Sequence, residues 1–221
     1  MDQSKRNRAM PVGYYNYTVV VTYLSAVAGV IGIGLAMRCN IYGAMFCLLI
    51  SGALDSIDGK VASKKKGRTR SERAFGVQID SLCDLVNFAF LPVVIGYAFG
   101  QRTITYMGIA AVYVLGAIIR LAYFNVDEME RQDRTTERRS CYTGMPVTTV
   151  ALLFPLLYCF EPLIENKILF NDLYACMMVI CAALFVIPIN IPKPDKKGII
   201  ALLCLGLAIF VALLLACIGV L

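Results

Sequence analysis

No histidine occurs anywhere in the chain, and that one absence removes the commonest general base, the HExxH zinc site and the Ser-His-Asp triad together. Acid–base chemistry must then fall to carboxylates or to a tyrosine. Charge is scarce as well: 16% of the 221 residues are charged against 59% hydrophobic, too apolar for a soluble domain of this length. The nine cysteines occur singly and never as CxxC, so they read as small buried hydrophobes and not as metal or redox motifs. No basic module interleaved with aromatics is present. Nucleic acid is therefore not an expected partner, and the net charge of +6 is assigned to membrane topology and to attraction for anionic headgroups. The first apolar run is long and lacks a small-residue cleavage site after a short core, so it reads as a span and not a signal peptide.

What remains is organised by apolar runs. They lie at about 17–37, 41–62, 77–99, 103–125, 146–162, 170–190 and 198–220, each at or near the roughly 20 residues a spanning helix needs. The expectation is an all-α polytopic bundle of seven spans in a lipid bilayer. Basic residues set its orientation. Lys5, Arg6 and Arg8 precede the first run, and Lys60, Lys64, Lys65, Lys66, Arg68, Arg70 and Arg73 lie at or between the ends of the second and third. Arg131, Arg134, Arg138 and Arg139 separate the fourth and fifth; Lys193, Lys196 and Lys197 separate the sixth and seventh. The other side carries only Arg38, Arg102 and Lys167. A multi-pass cell-membrane protein is expected, with its N-terminus and the 60–73 side in the cytoplasm and its C-terminus outside.

Four aspartates, Asp55, Asp58, Asp80 and Asp84, break the apolar pattern. A carboxylate at the bilayer centre costs roughly 2.5 to 3.5 kcal/mol on insertion scales, so each needs a partner. Asp55 and Asp58 share a face near the cytoplasmic end of the second run, while Gly76, Asp80 and Asp84 recur every four residues on one face of the third. Two helices joined by a cytoplasmic loop are expected to pack antiparallel and bring the faces together. Gly59, directly after Asp58, lets a backbone or ligand come close. Four converging carboxylates form a hard, oxygen-rich site suited to one or two Mg²⁺ or Mn²⁺ ions that keep positions open for phosphate oxygens. Pairing with the basic 60–73 loop would account for one or two of the four, not for all on matched faces. A divalent cation transporter or channel is the competing reading, since intramembrane carboxylates also mark ion paths. Against it, the cluster is confined to one end, and no internal repeat with matched helix breaks is seen.

The pattern Asp55-x2-Asp58-Gly59-x2-Ala62, continued by Gly76-x3-Asp80-x3-Asp84, resembles the signature of the CDP-alcohol phosphotransferases, integral membrane enzymes of phospholipid synthesis. It departs at Ser63, where the family usually carries Arg, and in the longer basic stretch between Ser63 and Gly76. The resemblance implies that Lys64, Lys65 or Arg68 replaces that guanidinium at the phosphates. The likeness extends to the phosphatidylserine synthase type of the family through FGVQIDSLCDLVNFAFLPVVIGY at 75–97, RLAYFN at 120–125 and YTGMPV at 142–147.

The resemblance implies a six-helix core over 17–192, preceded by a cytoplasmic segment, 1–16, and followed by an additional C-terminal transmembrane helix in 193–221. It further implies a homodimer, CDP-diacylglycerol drawn laterally from the bilayer as donor, L-serine as acceptor and CMP as leaving group. Asp55, Asp58 and Asp80 are the implied metal ligands, with Asp84 both ligand and general base. Asp58, Gly59, Ala62 and Gly76 are implied around the nucleotide. Arg120, a basic residue embedded in an apolar run, either pairs with the aspartates or binds the serine carboxylate through two hydrogen bonds, beside Asn125 and Thr143. Glycerol 3-phosphate or inositol phosphate would call for several converging cations, so a single Arg suits an amino acid better. An archaeal-type lipid donor would leave the same pattern. Gly144 and Pro146 read as a turn leading into the fifth span.

Overall fold

A computed structural model describes residues 13, 15, 17–64, 69–134, 141–192 and 196–219, of which 17–18, 59–64, 132–134, 141–142, 192 and 196 are described as backbone only. The first two apolar runs form α1 (Tyr17–Met37) and α2 (Ile41–Lys64). A tight turn joins them, with Cys39 at φ 57 and the Asn40 side-chain oxygen accepting from the Gly43 N–H at 3.0 Å, which satisfies a donor at the start of α2.

The third run is longer than hydropathy suggests. α3 (Arg70–Asp84), a π-helical segment (Leu85–Phe90) and α4 (Leu91–Ala98) follow one another without a break. The rod begins at Arg70 and not near 77 because Thr69 and Glu72 form a reciprocal capping box: the Glu72 N–H donates to Thr69 Oγ1 at 3.1 Å and the Thr69 N–H to Glu72 Oε2 at 2.9 Å. Inside the rod, Pro92 has no N–H, so the Phe88 carbonyl one turn earlier loses its helical donor. Tyr113 supplies a replacement, its hydroxyl donating to Phe88 O at 2.6 Å. Tyr174 donates to Pro92 O at 2.8 Å and Tyr106 to Val93 O at 2.9 Å. These buried tyrosines come from α5 (Ile104–Arg134) and α7 (Lys167–Val186), and they tie the rod to both.

Between those helices, a short 3₁₀ turn leads into α6 (Val150–Cys159), which holds Pro155, and α8 (Lys196–Cys217) closes the chain. Among the described residues, six helices are long and apolar enough to cross a membrane, and the stretch Val147–Leu163 is a shorter apolar helix. The chain is an all-α polytopic membrane protein, as its composition predicts. One small ladder interrupts the helices: β1 (Cys141–Thr143) pairs antiparallel with β2 (Asn190–Pro192). No periodicity in the sequence announces it.

At the end of the bundle away from the aspartates, aromatic rings fill the interior. Tyr42 and Phe99 meet Tyr158 at 5.1 and 5.7 Å between centroids, and Phe99 meets Phe170 and Tyr174 at 5.3 Å each, the offset and edge-to-face range that aromatic pairs favour. The cysteines divide. Cys83 and Cys181 are buried as expected, but Cys176 on α7 and Cys204 and Cys217 on α8 are exposed.

Candidate functional site

The carboxylates gather between the C-terminal halves of α2 and α3. Asp55 of α2 and Asp80 and Asp84 of α3 each offer an oxygen so that all three lie within 4.8 Å of one another. Asp84 reaches the Asp55 carboxyl and Asp80 that of Asp58, so the fourth aspartate joins the cluster at its edge. Asp58 is buried, and its Oδ2 accepts from Thr22 Oγ1 of α1 at 2.9 Å.

The helices do not meet as the loop length suggests. α1 packs along α2 and also against α3, the π segment and α4, whereas α2 and α3 share little direct contact among the described residues. Like charges in a medium of low dielectric repel strongly, and a site for cations needs space between its ligands. α1 bridges the two carboxylate-bearing helices instead. The donor set is all carboxylate oxygen, with ligand atoms close enough for a single hard cation to touch several at once, so Asp55, Asp80 and Asp84 fit Mg²⁺ or Mn²⁺, with Asp58 beside them.

Residues expected around the nucleotide lie on the same elements. Gly59, Ala62 and Lys64 fall on the last turns of α2, and half-buried Gly76 sits one turn before Asp80 on α3. Lys65 and Arg68 lie outside the described residues.

The expected acceptor residues occupy two places. Asn125 is docked on α3: its Oδ1 accepts from Ser81 Oγ at 2.6 Å and its Nδ2 donates to Gln78 Oε1 at 3.4 Å. Arg120, 6% exposed, donates from Nε to Met145 O at 3.3 Å and from Nη2 to Gly144 O at 3.5 Å, and its guanidinium lies 5.7 Å from the Phe124 ring centroid. Thr143 is half-buried on β1, opposite Asn190. Arg120 and Thr143 thus meet at the turn that follows β1. Gly144 there has φ +78, and a Cβ would stand 3.1 Å from Phe185 O and 3.3 Å from Ile187 O; only glycine fits that conformation and that gap. Its N–H donates to Ile189 O at 2.7 Å. Gly144 and Pro146 are the turn the sequence suggests, with Pro146 at the N-cap of the 3₁₀ segment.

A polar seam on α1 went unseen in the sequence. Below Thr22, Ser25 Oγ donates to Ser51 O of α2 at 3.1 Å and accepts from Asn87 Nδ2 of the π segment at 2.8 Å. Thr22, Ser25 and Gly29 stand three and four residues apart, one face of a helix; that spacing within an apolar run was the available signal.

Comparison with known proteins bears on this arrangement. CDP-diacylglycerol–serine O-phosphatidyltransferase of Saccharomyces cerevisiae is 33% identical over 148 residues, 63% of this chain and 52% of the relative. The protein of that name in Helicobacter pylori is 28% identical over 198 residues, 85% of this chain and 76% of the relative. Archaetidylserine synthase of Methanothermobacter thermautotrophicus is 28% identical over 182 residues, 81% and 70% respectively. The matched stretch spans about half the length of the yeast relative. The CDP-alcohol phosphatidyltransferase family as a whole matches residues 15–187, a stretch that contains all four aspartates and the helices that bring them together, and the chain belongs to that family.

Proposed function

We propose that the chain transfers the phosphatidyl group of CDP-diacylglycerol to the hydroxyl of L-serine, releasing CMP. The observation that carries this reading is the convergence of Asp55, Asp80 and Asp84 within 4.8 Å, at the motif positions that the family resemblance assigns to metal. Relatives named for the serine reaction support the choice of acceptor. The archaeal relative supports a second reading that differs in the lipid of the donor. Family membership sets aside the transporter alternative.

A divalent cation held by Asp55, Asp58, Asp80 and Asp84, Mg²⁺ or Mn²⁺ and two ions in the fullest arrangement, would neutralise the diphosphate and make its phosphorus more electrophilic. The chain's own residues do the placing. Exposed Ile57, Leu82, Tyr123 and Val126 surround the carboxylate end with apolar surface, over which a lipid-linked donor can arrive sideways from the bilayer. Gly59, Ala62 and Gly76, lacking bulk, leave room for the nucleotide, and Lys64, Lys65 or Arg68 would meet its phosphates. Asp84, buried at the end of α3, takes the serine hydroxyl proton as the new O–P bond forms and the P–O bond to CMP breaks. Arg120, Asn125 and Thr143 are the proposed acceptor residues, the guanidinium meeting the serine carboxylate.

The rest of the reading follows the same proposal. Residues 1–16 form a cytoplasmic segment, 17–192 the catalytic membrane domain and 193–221 an added span. The protein sits in the cell membrane as a homodimer with the carboxylate end facing the cytoplasm. The test is CMP release by purified protein given CDP-diacylglycerol, Mn²⁺ and one alcohol at a time. Serine should support release, EDTA should abolish it, and Asp55→Asn should lower it at least ~100-fold, on the order of 3 kcal/mol in the barrier. Release with glycerol 3-phosphate or inositol phosphate but not serine would refute the acceptor, and release undiminished by EDTA would refute the metal.

A further inference from the structure

We propose that Thr22 of α1 is a positioning residue for the carboxylate site, its hydroxyl holding Asp58 in the orientation in which that carboxylate joins Asp55, Asp80 and Asp84 around a divalent cation. The inference rests on the reading of these aspartates as metal ligands. Asp58 touches the cluster through Asp80, and its carboxylate turns about a broad sp³–sp² torsion that packing alone fixes poorly. The hydrogen bond from Thr22 spans 2.9 Å between two buried side chains, each 6% exposed. A hydroxyl donating to a carboxylate away from water is among the stronger hydrogen bonds, and it removes that torsional freedom.

Thr22 is also built to hold still. A threonine in an apolar helix ordinarily satisfies its hydroxyl on a backbone carbonyl one turn earlier; here the proton goes instead to a residue 36 positions away on another helix. β-Branching restricts its χ1. Two contacts farther along the same face set the register of α1: Ser25 bonds to Ser51 O and receives Asn87 Nδ2, and Asn87 Oδ1 lies 1.8 Å from where a Cβ on Gly29 would stand. Any side chain at that position would collide with the amide, so the close approach of the π segment to α1 requires the glycine. α1 therefore acts as a template that spaces α2 from α3, with Thr22 its point of contact with the ligands.

The experiment is direct Mn²⁺ titration, following free Mn²⁺ by electron paramagnetic resonance, of the full-length protein in lipid nanodiscs without substrate. Partners outside the ligand set commonly contribute 10–100-fold to metal affinity, so Thr22→Val should weaken Mn²⁺ binding by about tenfold or more, and Thr22→Ser, which keeps the hydroxyl, should restore most of it. Ser25→Ala, which removes a neighbouring buried hydrogen bond on the same face without touching a carboxylate, should weaken Mn²⁺ binding far less than Thr22→Val. Thr22→Ala stands in if the valine variant does not fold. Wild-type affinity in the Thr22 variants, with Asp58→Asn impaired, would overturn the positioning role and leave the proposed function intact. Equal losses in the Val and Ser variants, or an equal loss in Ser25→Ala, would overturn it as a general effect of packing. Absence of Mn²⁺ binding by the wild type would overturn the metal reading and this inference with it.

Discussion

Asp84 stands on the last turn of α3, directly before the π segment, with its carboxyl against that of Asp55. A residue that takes a proton and a residue that only binds charge part company when the carboxylate becomes an amide. Asp84→Asn should lose transfer by at least ~100-fold yet bind CDP-diacylglycerol within about tenfold of wild type, measured by CMP release and by equilibrium binding of the donor. A loss of donor binding as large as the loss of rate would make Asp84 an ordinary ligand. Arg120 can be separated in the same way. Two of its nitrogens are engaged by the Gly144 and Met145 carbonyls, which fixes the plane of the guanidinium. Arg120→Lys keeps the charge but loses that fork, so the KM for serine should rise about tenfold while that for CDP-diacylglycerol hardly changes. Equal changes in both constants would place Arg120 in the fold and not at the acceptor.

At the scale of elements, the rod from Arg70 to Ala98 depends on its neighbours at Pro92. Tyr113→Phe removes the hydroxyl that replaces the missing proline donor and leaves the Phe88 carbonyl buried without it. The expected loss is about 1–3 kcal/mol of stability, read from a lowered thermal midpoint in detergent; an unchanged midpoint would show that the carbonyl finds another donor. The helices themselves were legible because about twenty consecutive apolar residues in lipid have few alternatives to helix. Their ends were less so: the Thr69–Glu72 capping box is a polar signature outside any hydropathy window. The aspartates were legible because unpaired charge is costly in apolar surroundings. Thr22, Ser25 and Ser51 were not, since a hydroxyl in an apolar helix can bond to its own backbone and so announces no partner. The ladder of β1 and β2 was hidden for a different reason. Each strand has three residues, and their pairing joins positions about fifty residues apart.

For the whole molecule, the distribution of basic residues predicts which face meets which compartment. With seven apolar segments and the proposed placement of the carboxylate end in the cytoplasm, a reporter fused after Leu221 should be active only outside the cytoplasm, and one fused before Met1 only inside. Reporters active on the same side would remove one span, and the short stretch Val147–Leu163 would be the first suspect. The family match ends at residue 187, yet β2, at Asn190–Pro192, lies past that point and is hydrogen-bonded to the strand that carries Thr143. The smallest piece expected to work on its own therefore extends past the family match. A protein trimmed at the end of the family match would keep all four carboxylates of the site and lose the rail on which the turn at Gly144 is set. Transplanting the matched region alone between relatives would carry over the proposed metal site while leaving part of the proposed acceptor's surroundings behind.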